Sequence, residues 1–313
     1  MRSVLLAFAL VACKGDGNSP DTDTDTTPVD PFEVFIHPTV EASGGGLACF
    51  TPGDDWESTE WLEQNVDPTL VGTAAVAVAV QDFESEDPVS MPTVDLWYGD
   101  AVSGAPDASV TGDGGGLLTI DSPTCQPHTY RVNTDPNVVE TKTTYKAHHL
   151  YGPATGAVTG DMLSVSDITY RLIPTILGVA VDPDKAIIAG TMYGCGRNPS
   201  LPSEDDTEKV EGVQVIVYDA DGNIPQEMQI NYFTERFPDR FQEHTSADGL
   251  WVASNVPTGR LRVEAWGLVG GTLTLVGATV LDSEADSINI ANIFAGYADG
   301  VKYPDSCLVP PAL

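Results

Sequence analysis

From Thr73 onward, apolar or alternating segments of strand length are separated by turns rich in Gly, Pro, Asp and Asn. Strands satisfy a period of two broken every few residues; long helices do not. Residues 74–80 form a continuous Ala/Val run, expected to be a strand buried on both faces and ended by acidic residues and Pro88. Residues 93–98 alternate and close at Gly99 and Asp100. Residues 113–116 turn into 117–120, and residues 129–133 make the next strand. The same order returns later. Residues 187–193 open it, 212–219 alternate, Asp221-Gly222-Asn223 turns, Asp248-Gly249 precedes 250–252, and a turn at 256–259 leads into 261–266. Two copies of one supersecondary plan, with little helix, predict tandem β-sandwiches. Between them, Leu163, Val165, Ile168, Leu172, Ile173 and Ile176 stand at helical spacing. This predicts one short connecting helix, capped by Asp161 or Ser164 and ended or kinked at Pro174.

With 313 residues, the chain is long enough for two domains that each bury a core. It carries 46 acidic against 14 basic residues, a formal charge of −32, and no Lys or Arg between Lys14 and Arg131. Such a surface repels phosphate backbones, so nucleic acid is excluded as a partner. It suits an exported protein kept soluble by its charge, and it suits divalent cations or basic partners.

The N-terminus begins Met1-Arg2-Ser3, continues with an apolar run over 4–11 that is too short to span a bilayer, and reaches Leu10-Val11-Ala12-Cys13. This resembles the lipobox of bacterial lipoproteins. The resemblance implies that residues 1–12 are a cleaved signal peptide and that the Cys13 thiol carries diacylglycerol. Lys14 stands where, in that family, an aspartate holds lipoproteins at the inner membrane, which implies the outer membrane or cell surface. Residues 14–28 then hold no apolar side chain, and Asp21, Asp23 and Asp25 alternate with threonines. Such a tract buries nothing and reads as a disordered, extended spacer. Its aspartates lack the Gly-enforced turn and distal bidentate carboxylate of a calcium loop.

In the second copy, Gly190-Thr191, Gly212-Val213-Gln214-Val215, Thr245-Ser246-Ala247-Asp248-Gly249-Leu250-Trp251 and Val256-Pro257-Thr258-Gly259-Arg260-Leu261 together resemble the carboxypeptidase regulatory-like domain, a transthyretin-like β-sandwich, over residues 186–270. The chain departs from that pattern in the acidic insert 203–209, in Leu261 where an aromatic is usual, and in the long stretch 223–244. The resemblance implies a fold without catalytic residues, used for folding, spacing or binding.

Local enzyme signatures are absent: no Gly-x-Ser-x-Gly elbow, His-Glu-x-x-His helix, phosphate loop or dinucleotide fingerprint occurs. The five histidines are scattered. His148 and His149 are adjacent, and on a strand they point to opposite faces, which does not suit one metal. No cofactor or metal is expected. Trp97, Trp251 and Trp266 fall inside alternating strands and read as core. Trp56 and Trp61 lie in the irregular acidic stretch 53–65 and are the candidates for ligand contact. Apart from Cys13, the cysteines are Cys49, Cys125, Cys195 and Cys307, an even number in an exported chain. Each expected domain holds two, which predicts Cys49 with Cys125 and Cys195 with Cys307.

The reading is therefore mainly β. It comprises a signal peptide (1–12), a lipidated cysteine with a disordered acidic tether (13–31), a first Ig-like or transthyretin-like sandwich (32–160), a helical connector (161–185) and a second, carboxypeptidase regulatory-like sandwich (186–313). The expected role is non-catalytic and structural or adhesive, at the outer membrane or cell surface. The membrane is engaged through Cys13, with envelope proteins or polysaccharide as partners. Two alternatives stay open: a carbohydrate- or calcium-binding module, and a hydrolase with a dispersed carboxylate site.

Overall fold

The structure, a computed structural model, describes residues 30–45, 47–49, 51–137, 141–154, 156–195 and 208–310. Cys13, the Asp/Thr tract and most of the acidic insert lie outside these residues. The described chain opens with α1 (Pro31–Phe35) and β1 (Ser43–Gly44). A first set of strands follows: β2 (Gly72–Asp82), β3 (Thr93–Tyr98), β4 (Ala108–Thr111), β5 (Leu117–Thr124), β6 (His128–Asn133), β7 (Thr141–Lys142), β8 (Thr144–His149) and β9 (Val158–Ser166). After α2 (Asp167–Leu177) come β10 (Ala186–Tyr193), β11 (Val210–Glu211), β12 (Val213–Tyr218), β13 (Gln229–Thr234), β14 (Phe237–Asp239), β15 (Leu250–Val256), β16 (Gly259–Val269) and β17 (Thr272–Ser283). β18 (Ile288–Ile290) and β19 (Ile293–Phe294) close the sequence of strands.

The protein is mainly β and built as sandwiches. In the first, the sheet β5-β2-β9-β7 packs on β8-β6-β3-β4 over a core of Val76, Val78, Val80, Leu96, Ile120, Tyr130 and Met162. In the second, β12-β16-β17 packs on β14-β13-β15-β10 around Ile188, Met192, Val215, Trp251, Leu261 and Val263. Each such side chain, fully withdrawn from water, contributes about 1.5–3 kcal/mol before entropy is counted. The repeat visible in the sequence is a repeat of pairing. In both copies the first segment pairs antiparallel with the third, and the second with the fourth: β2 with β5 and β3 with β6, then β10 with β15 and β12 with β16.

The two sandwiches share a sheet. β18 pairs parallel with β10 through Ile187↔Ile288 and parallel with β8 through Ile288↔Thr144, so one ten-stranded sheet runs from β14 at one end to β4 at the other. Only three residues make this join. Asn289 secures it from within, its amide donating to the Ile187 carbonyl at 3.2 Å and to Ser287 Oγ at 3.0 Å.

Three expectations change. The Ala/Val run is not covered on both faces: Val76, Val78 and Val80 enter the core, while Ala75 and Ala77 are exposed. The helix begins later than expected, because Leu163 and Val165 belong to β9. Its cap is Ser166, whose Oγ accepts from Thr169 N at 3.2 Å. Pro174 does not end it. Proline sits in the last turn, and the helix closes at Gly178, left-handed at φ 76°, with Val179 N donating to the Pro174 carbonyl at 2.8 Å. Third, the stretch from Phe32 to Leu62, placed by sequence in the first sandwich (32–160), packs largely on the second. Asp30 caps α1 by accepting from Phe32 N, His37 N donates to Gln214 Oε1, Ala42 N to the Leu268 carbonyl, and Leu62 N to the Gly296 carbonyl.

Candidate functional site at the junction of the sandwiches

A group of polar side chains converges where the sandwiches meet. Arg260, at the start of β16, forms ion pairs with Asp100, in the loop after β3, and with Asp282 of β17, the latter at 3.3 Å. Asp282 Oδ2 in turn accepts from Val102 N at 2.7 Å, so one arginine and one aspartate of the second sandwich hold a loop of the first. Burial raises the Asp100 carboxyl, and the Arg260 guanidinium more than offsets it, leaving Asp100 below the ordinary carboxylate range. Both carboxylates are therefore committed to the fastening.

His148 is the second fastener. The register of β6 and β8 slips between His128 and Tyr130, and His148 takes a left-handed conformation at φ 55°. A bulge of this kind re-aims a side chain. His148 turns to the second sandwich, where Nε2 donates to the Val280 carbonyl. Burial pushes the imidazole below its ordinary pKa, so it is neutral, and the Val280 bond then leaves Nδ1 as an acceptor. Beside it lies a cavity of about 10 Å³ lined by Lys146, His148, Asn292 and Lys302, the size of one water molecule.

The neighbouring His149 points the other way, into the first sandwich. Its ring packs edge-on against His128, Tyr130 and Tyr151 at centroid distances of 5.2, 5.2 and 4.7 Å. Burial holds His149 well below its ordinary pKa and takes His128 down to about 4. These are neutral core groups. Among the described residues no group of three or more His, Cys, Asp or Glu is placed to hold a metal ion.

Trp56 and Trp61 form a latch. They pack on each other at 5.2 Å, Trp61 Nε1 donates to the Trp56 carbonyl, and both are half-buried over β12 and β16. One face of Trp56 covers the Arg262 guanidinium at 5.2 Å, and Tyr218 covers the same group at 4.7 Å. Arg262 pairs with Glu264 at 2.9 Å, and Glu264 Oε2 accepts from Trp266 Nε1 at 3.0 Å. Burial raises the Glu264 carboxyl above its ordinary range. The two rings expected to meet a ligand thus clamp the N-terminal stretch to the outer face of the second sandwich.

The four remaining cysteines are all bridged, in a pairing other than the expected one. Cys49 joins Cys195 and Cys125 joins Cys307, with Cα separations of 6.2 and 5.4 Å. The reason is the crossing of the chain. The segment bearing Cys49 lies on the second sandwich beside the end of β10, whereas the tail bearing Cys307 returns to the first, where Cys125 N and Cys307 Sγ both meet the Tyr151 carbonyl. Each bridge ties the early part of the chain to the late part.

No family model and no curated protein matches the chain. Among solved structures it aligns with the TIE protein of Bacillus anthracis at 10% identity and a TM-score of 0.22, covering 71% of this chain and 34% of that one. It aligns with GBS52, the minor pilin of Streptococcus agalactiae, at 9% and 0.22 over 77% and 99% of the two chains, and with the shaft pilin SpaA of Lactobacillus rhamnosus GG at 10% and 0.23 over 72% and 98%. The superpositions are loose, and nothing about activity follows from them.

Proposed function

We propose that this chain is a lipid-anchored, non-catalytic structural or adhesive module of the cell envelope. The observation that supports this reading is the shared sheet: β18 hydrogen-bonds to strands of both sandwiches, and two bridges and the Arg260 fastening cross between the early and late parts of the chain. A body fastened in this way transmits load or holds a fixed spacing. The paired cysteines suit an oxidising, exported location, and the −32 charge suits an exposed surface with protein or polysaccharide partners. The lipobox resemblance at Cys13 supplies the anchor, at the outer membrane or cell surface, and the carboxypeptidase regulatory-like pattern of 186–270 supports a spacing or binding role. Metabolic labelling with a fatty acid tests the anchor. Label on the native chain that is lost in Cys13→Ser, together with release of that variant from the membrane fraction, is the expected outcome. Equal label in both would remove the anchor from the reading.

A further inference from the structure

We propose that the Cys49–Cys195 bridge is a redox-labile fastener: an external dithiol opens it while Cys125–Cys307 stays closed, and its opening frees a strap of residues 32–61 to swing off the outer face of the second sandwich. The two bridges differ in what a reagent can reach. Cys49 is exposed, in a single 3-10 turn (Leu47–Cys49) none of whose residues is buried. Cys125 and Cys307 are 1% and 0% exposed, and the Tyr151 carbonyl lies against both, accepting from Cys125 N at 2.9 Å. Thiol–disulfide exchange needs a sulfur that the attacking thiolate can approach. The first bridge therefore reacts in the folded protein, and the second only after the tail has left the first sandwich.

The exchange balances within one dithiol. Its thiolate attacks Cys49 Sγ, since Cys195 is buried, the bond to Cys195 breaks, and the electron pair leaves on the Cys195 sulfur, which takes up a proton. The second thiolate of the reagent then displaces Cys49 from the mixed disulfide, and Cys49 is protonated in turn. Two cysteine thiols are formed, and the reagent is oxidised to its own disulfide.

What the bridge holds is a strap fixed at one end. From Leu62 onward the chain is bound to the C-terminal region: Leu62 N donates to the Gly296 carbonyl at 2.8 Å, Gln64 Nε2 to the Val301 carbonyl at 2.8 Å, Tyr303 N to Gln64 Oε1 at 2.7 Å, and Asp67 N to the Cys307 carbonyl at 2.9 Å. Before that point the contacts are apolar packing and scattered backbone bonds. Phe32 meets the Trp266 ring edge-on at 5.1 Å, Ile36 is buried with Ile216 and Leu275, β1 pairs only two residues with β11, and Leu275 N donates to the Gly53 carbonyl at 3.1 Å. Cys49 stands midway along the strap and pins it beside the end of β10, so neither arm can leave without bending back to the bridge. With the bridge cut, the whole strap pivots at 62–67. A segment with so few ladder bonds lies at the low-stability end of a fold. Its departure uncovers Ile216, Trp266 and Leu275, now 0%, 6% and 0% exposed. The chain thus presents, when reduced, an apolar face that it conceals when oxidised. The device rests on these contacts and not on the lipid anchor.

Stepwise reduction of the full chain carrying Cys13→Ser with dithiothreitol, quenched by iodoacetamide and read by peptide mapping, tests it, and its failure leaves the labelling experiment on Cys13 standing. Cys49 and Cys195 should be alkylated at concentrations that leave Cys125 and Cys307 bridged. Hydrogen exchange at the His37 and Ala42 amides should then quicken by about tenfold or more, while exchange in β2 and β15 stays as it was. Cys49→Ser with Cys195→Ser should exchange fast without reductant and show no further response to it; should that variant fail to fold, the titration of the unsubstituted bridge decides alone. Reduction of both bridges together, earlier reduction of Cys125 and Cys307, or unchanged exchange over 32–61 after the first bridge is cut would overturn the proposal.

Discussion

At the scale of single residues, the buried imidazoles make stability depend on acid. His128 is neutral in the folded protein, with its pKa near 4, whereas in the unfolded chain it titrates near 6.5. Below pH 6.5 the unfolded state takes up a proton that the folded state refuses, so the stabilising contribution is complete above about pH 6.5 and is lost as pH falls toward 4. Between pH 7 and pH 5 this amounts to about 2 kcal/mol, from 1.36 kcal/mol per pH unit. His149, held well below its ordinary pKa chiefly by burial and further by Lys146 and His128, adds in the same direction. Urea unfolding at the two pH values should show a clear loss of stability in the native chain and a smaller one in His128→Gln. Equal losses would remove the imidazole as the cause.

At the scale of elements, the close approach of backbones matters more than side-chain volume. A Cβ on Gly190 would stand 1.9 Å from the Ala291 carbonyl oxygen, and Trp251 would press from another side. Backbone cannot retreat there, because Ala291 N donates to the Ala189 carbonyl at 2.8 Å in the stretch that joins β18 to β10. Gly190→Ala should cost about 3 kcal/mol, at the upper end of overpacking, read as a lowered denaturation midpoint without change in slope. A variant as stable as the native chain would mean that β18 has room to slide. The strands read at 74–80, 93–98, 117–120, 129–133, 187–193, 212–219, 250–252 and 261–266 fall on β2, β3, β5, β6, β10, β12, β15 and β16, whereas β9, β13, β14 and β17 to β19 are not read from the sequence. Two faces are not legible. An Ala/Val run looks doubly buried because alanine is apolar, yet a methyl is small enough to be left in water. The spacing of Ile168, Leu172 and Ile176 suggests a packed stripe, but α2 turns these outward and buries Tyr170, Pro174 and Leu177.

At the scale of the whole molecule, the bridges interleave: Cys49, Cys125, Cys195 and Cys307 follow one another along the chain, and each pairs with the next but one. Three chain segments therefore run in parallel between the two bridges. A single backbone cut between Cys49 and Cys307 should leave one covalent species on a non-reducing gel and two fragments after reduction. Peptide mapping should recover Cys49 with Cys195 and Cys125 with Cys307; a peptide joining Cys49 to Cys125 would contradict the fold. Shared strand and crossed bridges also predict one cooperative transition, with calorimetric and van't Hoff enthalpies equal. Two separable transitions would show that the sandwiches melt independently.

Periodicity, turn residues and charge were sufficient, read alone, to establish a strand-built chain in two similar halves, because these signals act between neighbours a few residues apart. The cysteines could be read as bridged but not as paired, since the partners lie 146 and 182 residues apart and only the path of the chain brings them together. The same holds for the rest of the site. Arg260 meets Asp100 across 160 residues, and three residues of β18 reach strands of both halves. Trp56 and Trp61 look exposed in an irregular acidic stretch until Arg262 and Tyr218 are placed beneath them. No local pattern encodes such meetings; they follow from burying two sheet faces at once, which leaves the N-terminal stretch to cover the outer side of one sandwich and the tail to return to the other.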